Sequence, residues 1–396
     1  MTSEWGVYVH IPFCQARCTY CDFNTVTGMT VDDHRRYTAA LLKEWDREVA
    51  PDGALVSIYF GGGTPSLLDP ILIGRVIQRV LARVSCDAAE ITVETNPATV
   101  TEQRLAALRK SGVNRLSIGA QALQNHHLSA LNRTHDVDAI NKTVEMARWA
   151  GFDNISLDAI YGLPGQTMAE WQATIEGLLA LDPEHLSLYS LIVEEGTPLK
   201  WVVERGLACL PEPDRVADMA DWAEERLTRA ELFPYEISNY ARPGRESRHN
   251  RLYWQMEPYL ALGAGAHAYR PGRRWWNVRG VRRYMETVEG GRDPMDSEEF
   301  LTKEEEMREF LWLGFRQRIG VDVGRFQQRF SLDPRQAFHS TLGDLHIKGL
   351  MIASADHLVL TRRGRDMANV VARALVDADV DVSIHSPRAA ADGASF

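Results

Sequence analysis

Three cysteines are the residues whose type and spacing could do the most chemistry. Cys14, Cys18 and Cys21 lie in HIPFCQARCTYCDF, a C-x3-C-x2-C pattern. Three thiolates on one short loop can hold three corners of a [4Fe-4S] cube and leave the fourth iron open to another ligand. A structural zinc site would want a fourth Cys or His at matching spacing. His10 is near, but it sits on the apolar run before the loop. Cys86 and Cys209 are isolated and read as core or incidental thiols. An odd count of five, three of them clustered, is not a secreted disulfide framework.

Other candidates sit where apolar runs end. Gly61, Gly62, Gly63, Thr64 and Pro65 follow one run; glycines there let the backbone approach a ligand and expose its N–H and C=O groups. Glu94 ends ITVE, Gln121 follows LSIGA, and Asp158 ends ISLD. Arg133 lies in ALNRTHD. Polar residues at the C-terminal ends of strands are where barrel sites are built. The bland alternatives are helix capping for Asp158 and a surface ion pair for Arg133.

These residues need strands and helices to position them. Short β-rich runs cover Trp5–Ile11, Val56–Phe60, Glu90–Glu94, Arg115–Ile118, Asn154–Ala159 and His185–Leu191. Helical periods lie between them at Asp33–Val49, Pro70–Val84, Thr101–Ser111, Val137–Ala150 and Met168–Leu181. Alternating signals predict βα units and an α/β fold with a parallel sheet. Six units fall short of the eight that close a barrel, so a (β/α)6 partial barrel and an open doubly wound sheet both fit. The barrel is expected over 1–210 and a linker or extension over 211–300. A smaller, mostly helical, winged-helix-like domain is expected over 301–375. Its parts are helices at Lys303–Gln317, Val323–Arg329, Pro334–Lys348 and Arg362–Leu375, with a hairpin at Leu350–Ala353 and His357–Leu360. The tail from Val376 is small and polar and is expected to be disordered.

C-x3-C-x2-C with Tyr20 before the last Cys and Phe23 after it resembles the radical S-adenosylmethionine (SAM) superfamily. That resemblance implies a partial barrel, a [4Fe-4S] cluster on Cys14, Cys18 and Cys21, and SAM on the open iron. Further motifs arrive in order: YVHIPFC, GGGTPS, ETNP, GAQ, LNRTHD and DAIYGLPGQT. Over about residues 5 to 375 they resemble the family of oxygen-independent coproporphyrinogen III oxidases. The implied cofactor contacts are Tyr8, Tyr20, Phe23, Gly62, Gly63, Thr64, Glu94, Gln121, Arg133 and Asp158. Glu94 and Asp158 are expected to accept hydrogen bonds from ribose or ammonium. Arg133 is expected to face a carboxylate, a bidentate task suited to guanidinium.

The chain departs from the oxidases of that family in two ways. Phe23 stands where they carry a further Cys, and only 13 residues precede Cys14. Both departures put porphyrinogen decarboxylation in question, and both resemble the haem chaperone branch. His249, Asn250, Tyr253 and Trp254 form H-N-x-x-Y-W, associated in that branch with haem binding. Imidazole is a standard axial ligand for haem iron, and Arg245, Arg248 and Arg251 could pair with propionates. The bland alternative is a hydrogen-bonded His with core aromatics. His267, Met256, His126 and His127 are other candidate ligands.

The resemblance therefore implies haem as cargo, acceptor haem proteins such as cytochromes or membrane oxidases, and a flavodoxin-type electron donor. It leaves a dimer open. Competing readings are a coproporphyrinogen III dehydrogenase and a radical SAM methyltransferase or cyclopropanase. The 396 residues carry 44 basic against 54 acidic side chains, a net of -10, which argues against nucleic acid as partner. No apolar run is long enough to span a bilayer, and Met1–His10 lacks the parts of a signal peptide. A cytoplasmic protein is expected, touching the inner face of a membrane only through a partner.

Overall fold

The computed structural model describes residues 3–84, 86 and 88–381. Each of the six apolar runs is a strand: β1 (Glu4–Ile11), β2 (Ala54–Gly62), β3 (Glu90–Thr95), β4 (Arg115–Gln121), β5 (Ile155–Tyr161) and β6 (His185–Ser190). They pair in parallel in chain order. Most of their side chains are buried, as expected of a sheet covered on its outer face by helices. The five intervening helices also form, each within a few residues of its expected bounds.

Helix Val31–Trp45 shows why these segments are helical. Thr30 caps it in a reciprocal box with Asp33, and Tyr37, Leu41 and Trp45 recur at intervals of four on its buried face. Helix Met168–Ala180 starts on the same device, Thr167 with Glu170.

The main difference from expectation lies in residues 211–300. They are an extension and not a linker: they add strands to the barrel sheet on both sides. Strands β7 (Phe233–Pro234) and β8 (Asn239–Ala241) extend it antiparallel beyond β6. Strand β9 (Tyr259–Leu262) crosses to the far side and pairs in parallel with β1. Strands β10 (His267–Arg270), β11 (Arg273–Asn277) and β12 (Met295–Phe300) then continue outward, antiparallel. The full order is β12-β11-β10-β9-β1-β2-β3-β4-β5-β6-β8-β7. Seven strands are therefore parallel rather than six. The four residues of β9 are too few to show a period, so pairing with β1 decides their state.

Close approach explains the glycine richness of this region. Gly263 has φ +106, and a Cβ there would lie 2.5 Å from the Tyr37 hydroxyl. Its N–H donates to Glu44, which also accepts from Asn277 and Tyr284, both at 2.5 Å. One buried carboxylate thus joins helix Val31–Trp45 to the segment after β9.

Residues 301–381 form a second unit around Phe310, Phe326, Phe330 and Phe338. Its three-stranded antiparallel sheet (Val321–Asp322, His357–Leu360, Met351–Ala353) stands among helices, the winged-helix-like arrangement expected. Two expected helices are broken, at Phe338 and at Met367. The tail does not begin at Val376. Ala378 is buried, its carbonyl accepts from Arg308 at 2.9 Å, and Asp381 N–H donates to Ala337 at 2.9 Å. The rest of the expected tail, 382–396, lies outside the described residues. Among the described residues no helix is long and apolar enough to cross a membrane.

Burial pushes the Glu44 carboxyl up to about 7. Native stability gained from the protonated form is complete below the usual carboxylate value and is lost as pH rises toward 7, because the unfolded chain releases its proton first. Glu44→Gln is expected to flatten that fall; urea unfolding between pH 4.5 and 7 measures it.

Candidate functional site

The cysteine loop is held at both ends. Phe13–Cys14 pairs with Val26–Thr27, so Cys14 is fixed where the chain leaves β1. The Arg17 guanidinium donates to the Cys21 carbonyl at 3.1 and 3.3 Å. Asn132 donates to the Arg17 carbonyl at 2.8 Å, and Thr19 N–H to the Leu131 carbonyl at 3.2 Å. The segment before Arg133 therefore clasps the loop.

All three cysteines are half-buried and free of disulfides. Thr64 donates to Cys14 Sγ at 3.7 Å, and Arg133 to Cys18 Sγ at 3.4 Å. Burial raises the Cys14 and Cys21 thiols, while Thr64, Arg133 and Arg17 oppose the rise at Cys14. Among the described residues, only His126, His127 and Glu170 bring three ligand atoms within 4.8 Å of one another. Three thiols on one loop suit the three protein-held corners of a [4Fe-4S] cube.

Beneath the loop lies a cavity of about 360 Å3. Of the expected cofactor contacts, Tyr20, Phe23, Gly62, Gly63, Thr64, Glu94, Gln121, Arg133 and Asp158 line it together with the three cysteines. Tyr8 instead lines an adjoining cavity of about 380 Å3, which shares Phe23, Gly62 and Glu94 with the first. Gly62 adopts φ +113, and a Cβ there would strike the His10 ring at 2.5 Å. The His10 ring is held by Tyr8 and by the Asn24 carbonyl.

The floor is acidic and buried. Glu94 accepts from the Tyr59 hydroxyl at 2.9 Å and Gly62 N–H at 3.1 Å. Burial, with Asp158 nearby, pushes Glu94 up to about 7. Asp158 accepts from Ser117 at 3.0 Å and Ser156 at 3.1 Å, and burial raises it too. Arg133 is cationic and lines the same cavity on the side of Cys18. One of its nitrogens donates to the Gly119 carbonyl at 3.1 Å, while its buried Nε has no partner. An orphaned donor, two buried carboxylates and open glycine backbone fit a ligand with both ammonium and carboxylate groups, as SAM has. Gln121 holds φ 66 at a bulge in β4, an unusual state for a side-chain-bearing residue at a site wall.

The structure divides HNxxYW: Tyr253 lines the adjoining cavity with Tyr8, Phe23, Glu94 and His267, while His249, Asn250 and Trp254 lie outside it. His249 lies at the opposite end of the strands, on a helix (Arg248–Trp254) that packs against β1 and β2. It is 1% exposed. Its Nδ1 pairs with Ser57 and its Nε2 with the Tyr253 hydroxyl, each at 2.8 Å. Burial lowers it to about 3, so it is neutral. Both ring nitrogens are engaged, and iron cannot reach either while this helix is seated. Asn250 is half-buried, and Trp254 lies under the Arg316 guanidinium at 4.4 Å. The His249 ring stacks on Tyr59 at 5.0 Å, so the motif supports the residue that bonds Glu94. Met256 is buried in the second core, and Arg248 donates to the Ala88 carbonyl.

Several residues that build the site escaped sequence reasoning. Ser117, Ser156 and Tyr59 hold the two carboxylates, and their only signal is alternation on the inner face of a strand. Tyr189 and Ile192 stand exposed at the cavity rim beside Phe23, which is 60% exposed.

A parallel sheet with a three-cysteine loop at the carboxyl end of its first strand, followed by a helical unit, defines a radical SAM protein. The Radical SAM superfamily model matches residues 8–178, and the HemN C-terminal domain model matches 301–367. The chain is 38% identical over 373 residues to Heme chaperone HemW of Bacillus subtilis (strain 168), covering 92% of this chain and 97% of that protein. It is 35% identical over 382 residues to Heme chaperone HemW of Mycobacterium tuberculosis (strain ATCC 25618 / H37Rv), covering 94% and 95%. The solved coproporphyrinogen III oxidase (HemN) from Escherichia coli, a radical SAM enzyme, superposes with a TM-score of 0.81 at 23% identity, over 94% of this chain and 90% of that one. That likeness is one of fold. The chain belongs to the HemW haem chaperone family.

Serine at Cys14, Cys18 or Cys21 is expected to remove most iron and sulfide after anaerobic reconstitution, measured per chain. Glu94→Gln in cluster-loaded protein is expected to weaken SAM binding by about tenfold, the worth of one charge-assisted hydrogen bond; equilibrium dialysis reads it.

Proposed function

We propose that this protein binds haem and delivers it to acceptor haem proteins, using a radical SAM core whose cysteine loop carries a [4Fe-4S] cluster. Membership of the HemW family supports the reading. The single structural observation that carries it is the rim of the cavity: Phe23, Tyr189 and Ile192 are large, apolar and exposed beside one opening. Exposed apolar groups gathered at a cleft mark a binding surface, and a porphyrin is a flat apolar plate. Phe23 stands where the oxidases place a thiol, and it adds exposed apolar surface there.

The residues that would hold the cofactors follow from the geometry. Cys14, Cys18 and Cys21 would ligate the cluster. Glu94, Asp158 and Arg133 would orient the ammonium and carboxylate of SAM, with Gly62 and Gly63 offering backbone and Tyr8 closing the adjoining wall. Bound there, cluster and SAM supply a one-electron source beside a reducible sulfonium. The chain's own part is to exclude water, through the buried floor, and to hold the thiols at their spacing. A reduced flavodoxin-type protein would supply the electron. In this reading His249 and Tyr253 brace Tyr59 and Glu94 from below, and haem is met at the rim.

An anaerobic haem titration of cluster-loaded protein, followed at the Soret band, tests the reading. Saturable stoichiometric binding is expected, weakened about tenfold in Ile192→Glu by the loss of apolar contact. His249→Gln is expected to keep the wild-type Soret position. Absence of saturable binding, with turnover of coproporphyrinogen III to protoporphyrinogen IX, would establish the oxidase reading instead. A Soret shift in His249→Gln alone would mean that the helix opens to let iron reach the motif.

A further inference from the structure

A second ligand cluster lies outside the cavity. His126 and His127 stand on the short helix Asn125–Ala130, after β4, and Glu170 in the first turn of helix Met168–Ala180, after β5. His126 Nε2 is 3.1 Å from one Glu170 oxygen, and His127 Nε2 is 3.6 Å from the other. The two rings are 4.1 Å apart, centroid to centroid. Two elements distant in sequence thus bring three ligand atoms within 4.8 Å of one another.

Ordinary ion pairing does not account for this group. His127 is 4% exposed, yet its Nε2 is buried with no hydrogen-bond partner. Nearly all buried polar atoms in folded proteins are satisfied, and this one stops 3.6 Å short of Glu170 with two further ligand atoms beside it. Two rings this close cannot both carry a proton's charge cheaply beside a single carboxylate. Glu170 is not free to swing away. It accepts from Thr167 N–H at 2.8 Å and from the Thr167 hydroxyl at 2.9 Å, closing the capping box. Gln124 ties the two elements further, donating to the Glu170 carbonyl at 2.9 Å and accepting from Thr174 at 3.1 Å. The carboxylate is therefore held in place toward both imidazoles.

We infer that His126, His127 and Glu170 form a binding site for a divalent cation of the zinc class. Tetrahedral ligands about 2.0 to 2.1 Å from zinc stand roughly 3.4 Å apart, between the two contacts observed here. Two imidazoles and a carboxylate suit zinc, cobalt and nickel better than calcium or magnesium, which prefer oxygen. Exposed His126 leaves a side open for water as the fourth ligand. The ion would join the start of helix Met168–Ala180 to the segment that carries Gln121 at one end and Arg133 at the other. That segment also clasps the cysteine loop through Leu131 and Asn132. Occupancy would therefore stiffen one wall of the cofactor cavity without touching the cofactor.

The test uses full-length, cluster-loaded protein freed of loose metal by chelating resin. Zinc is titrated calorimetrically, and iron and zinc are counted per chain by mass spectrometry. About one zinc per chain is expected with iron unchanged, and His126→Ala, at an exposed position, is expected to weaken binding by about 100-fold or more. Zinc should raise the melting temperature of the wild type and not of the variant. Cobalt in the site should show weak visible bands without thiolate charge transfer. No zinc beyond the iron, binding unchanged in His126→Ala, or thiolate bands that place the metal on the cysteines would each overturn the assignment.

Discussion

Burial of the Glu94 carboxylate beneath the cysteine loop is the constraint on which much of the structure depends. A carboxyl group in the interior of a parallel sheet must be hydrogen-bonded or neutral. Here Tyr59 and the Gly62 N–H satisfy it, and each has its own requirements. Tyr59 must be packed from below, which the His249 ring does by stacking. Gly62 must take a positive φ and lie against His10, which no other residue could do. Glycine run, inner-face tyrosine and buried histidine are thus three parts of one support.

The lower end of the barrel repeats the same logic with other residues. Glu90 accepts from Ser247 and from the N–H groups of Arg248 and His249, and it faces the buried Arg115. His185 joins Ser156 to Tyr235. These contacts seat helix Arg248–Trp254 against β1 and β2. The helix that carries HNxxYW is thereby part of the foundation of the site. A role for it in haem handling has to run through opening or support, because His249 has no free ring nitrogen.

The C-terminal unit docks on the same region. Arg316 lies over Trp254, Arg329 donates to the Met256 carbonyl, and Tyr269 donates to Glu306. The last residue of the motif is therefore shared between barrel and C-terminal unit. The chain has a continuous packed route between its two cores.

The cysteine spacing, the glycine run and the alternation of strands and helices were legible in the sequence because each is local. Three thiols on one loop, a capped amphipathic helix and an apolar run declare themselves within a few residues. The sequence alone therefore determined the βα architecture through β6 and, of the ten expected cofactor contacts, the nine that line the first cavity. It did not reveal that residues 211–300 add strands to the sheet, because β9 is four residues long and is a strand only through pairing with β1, some 250 positions earlier. Nor could it place HNxxYW. A histidine followed by Tyr and Trp reads equally well as ligand or as core, and only tertiary packing against Ser57, Tyr59 and Tyr253 decided that both its nitrogens are already spent.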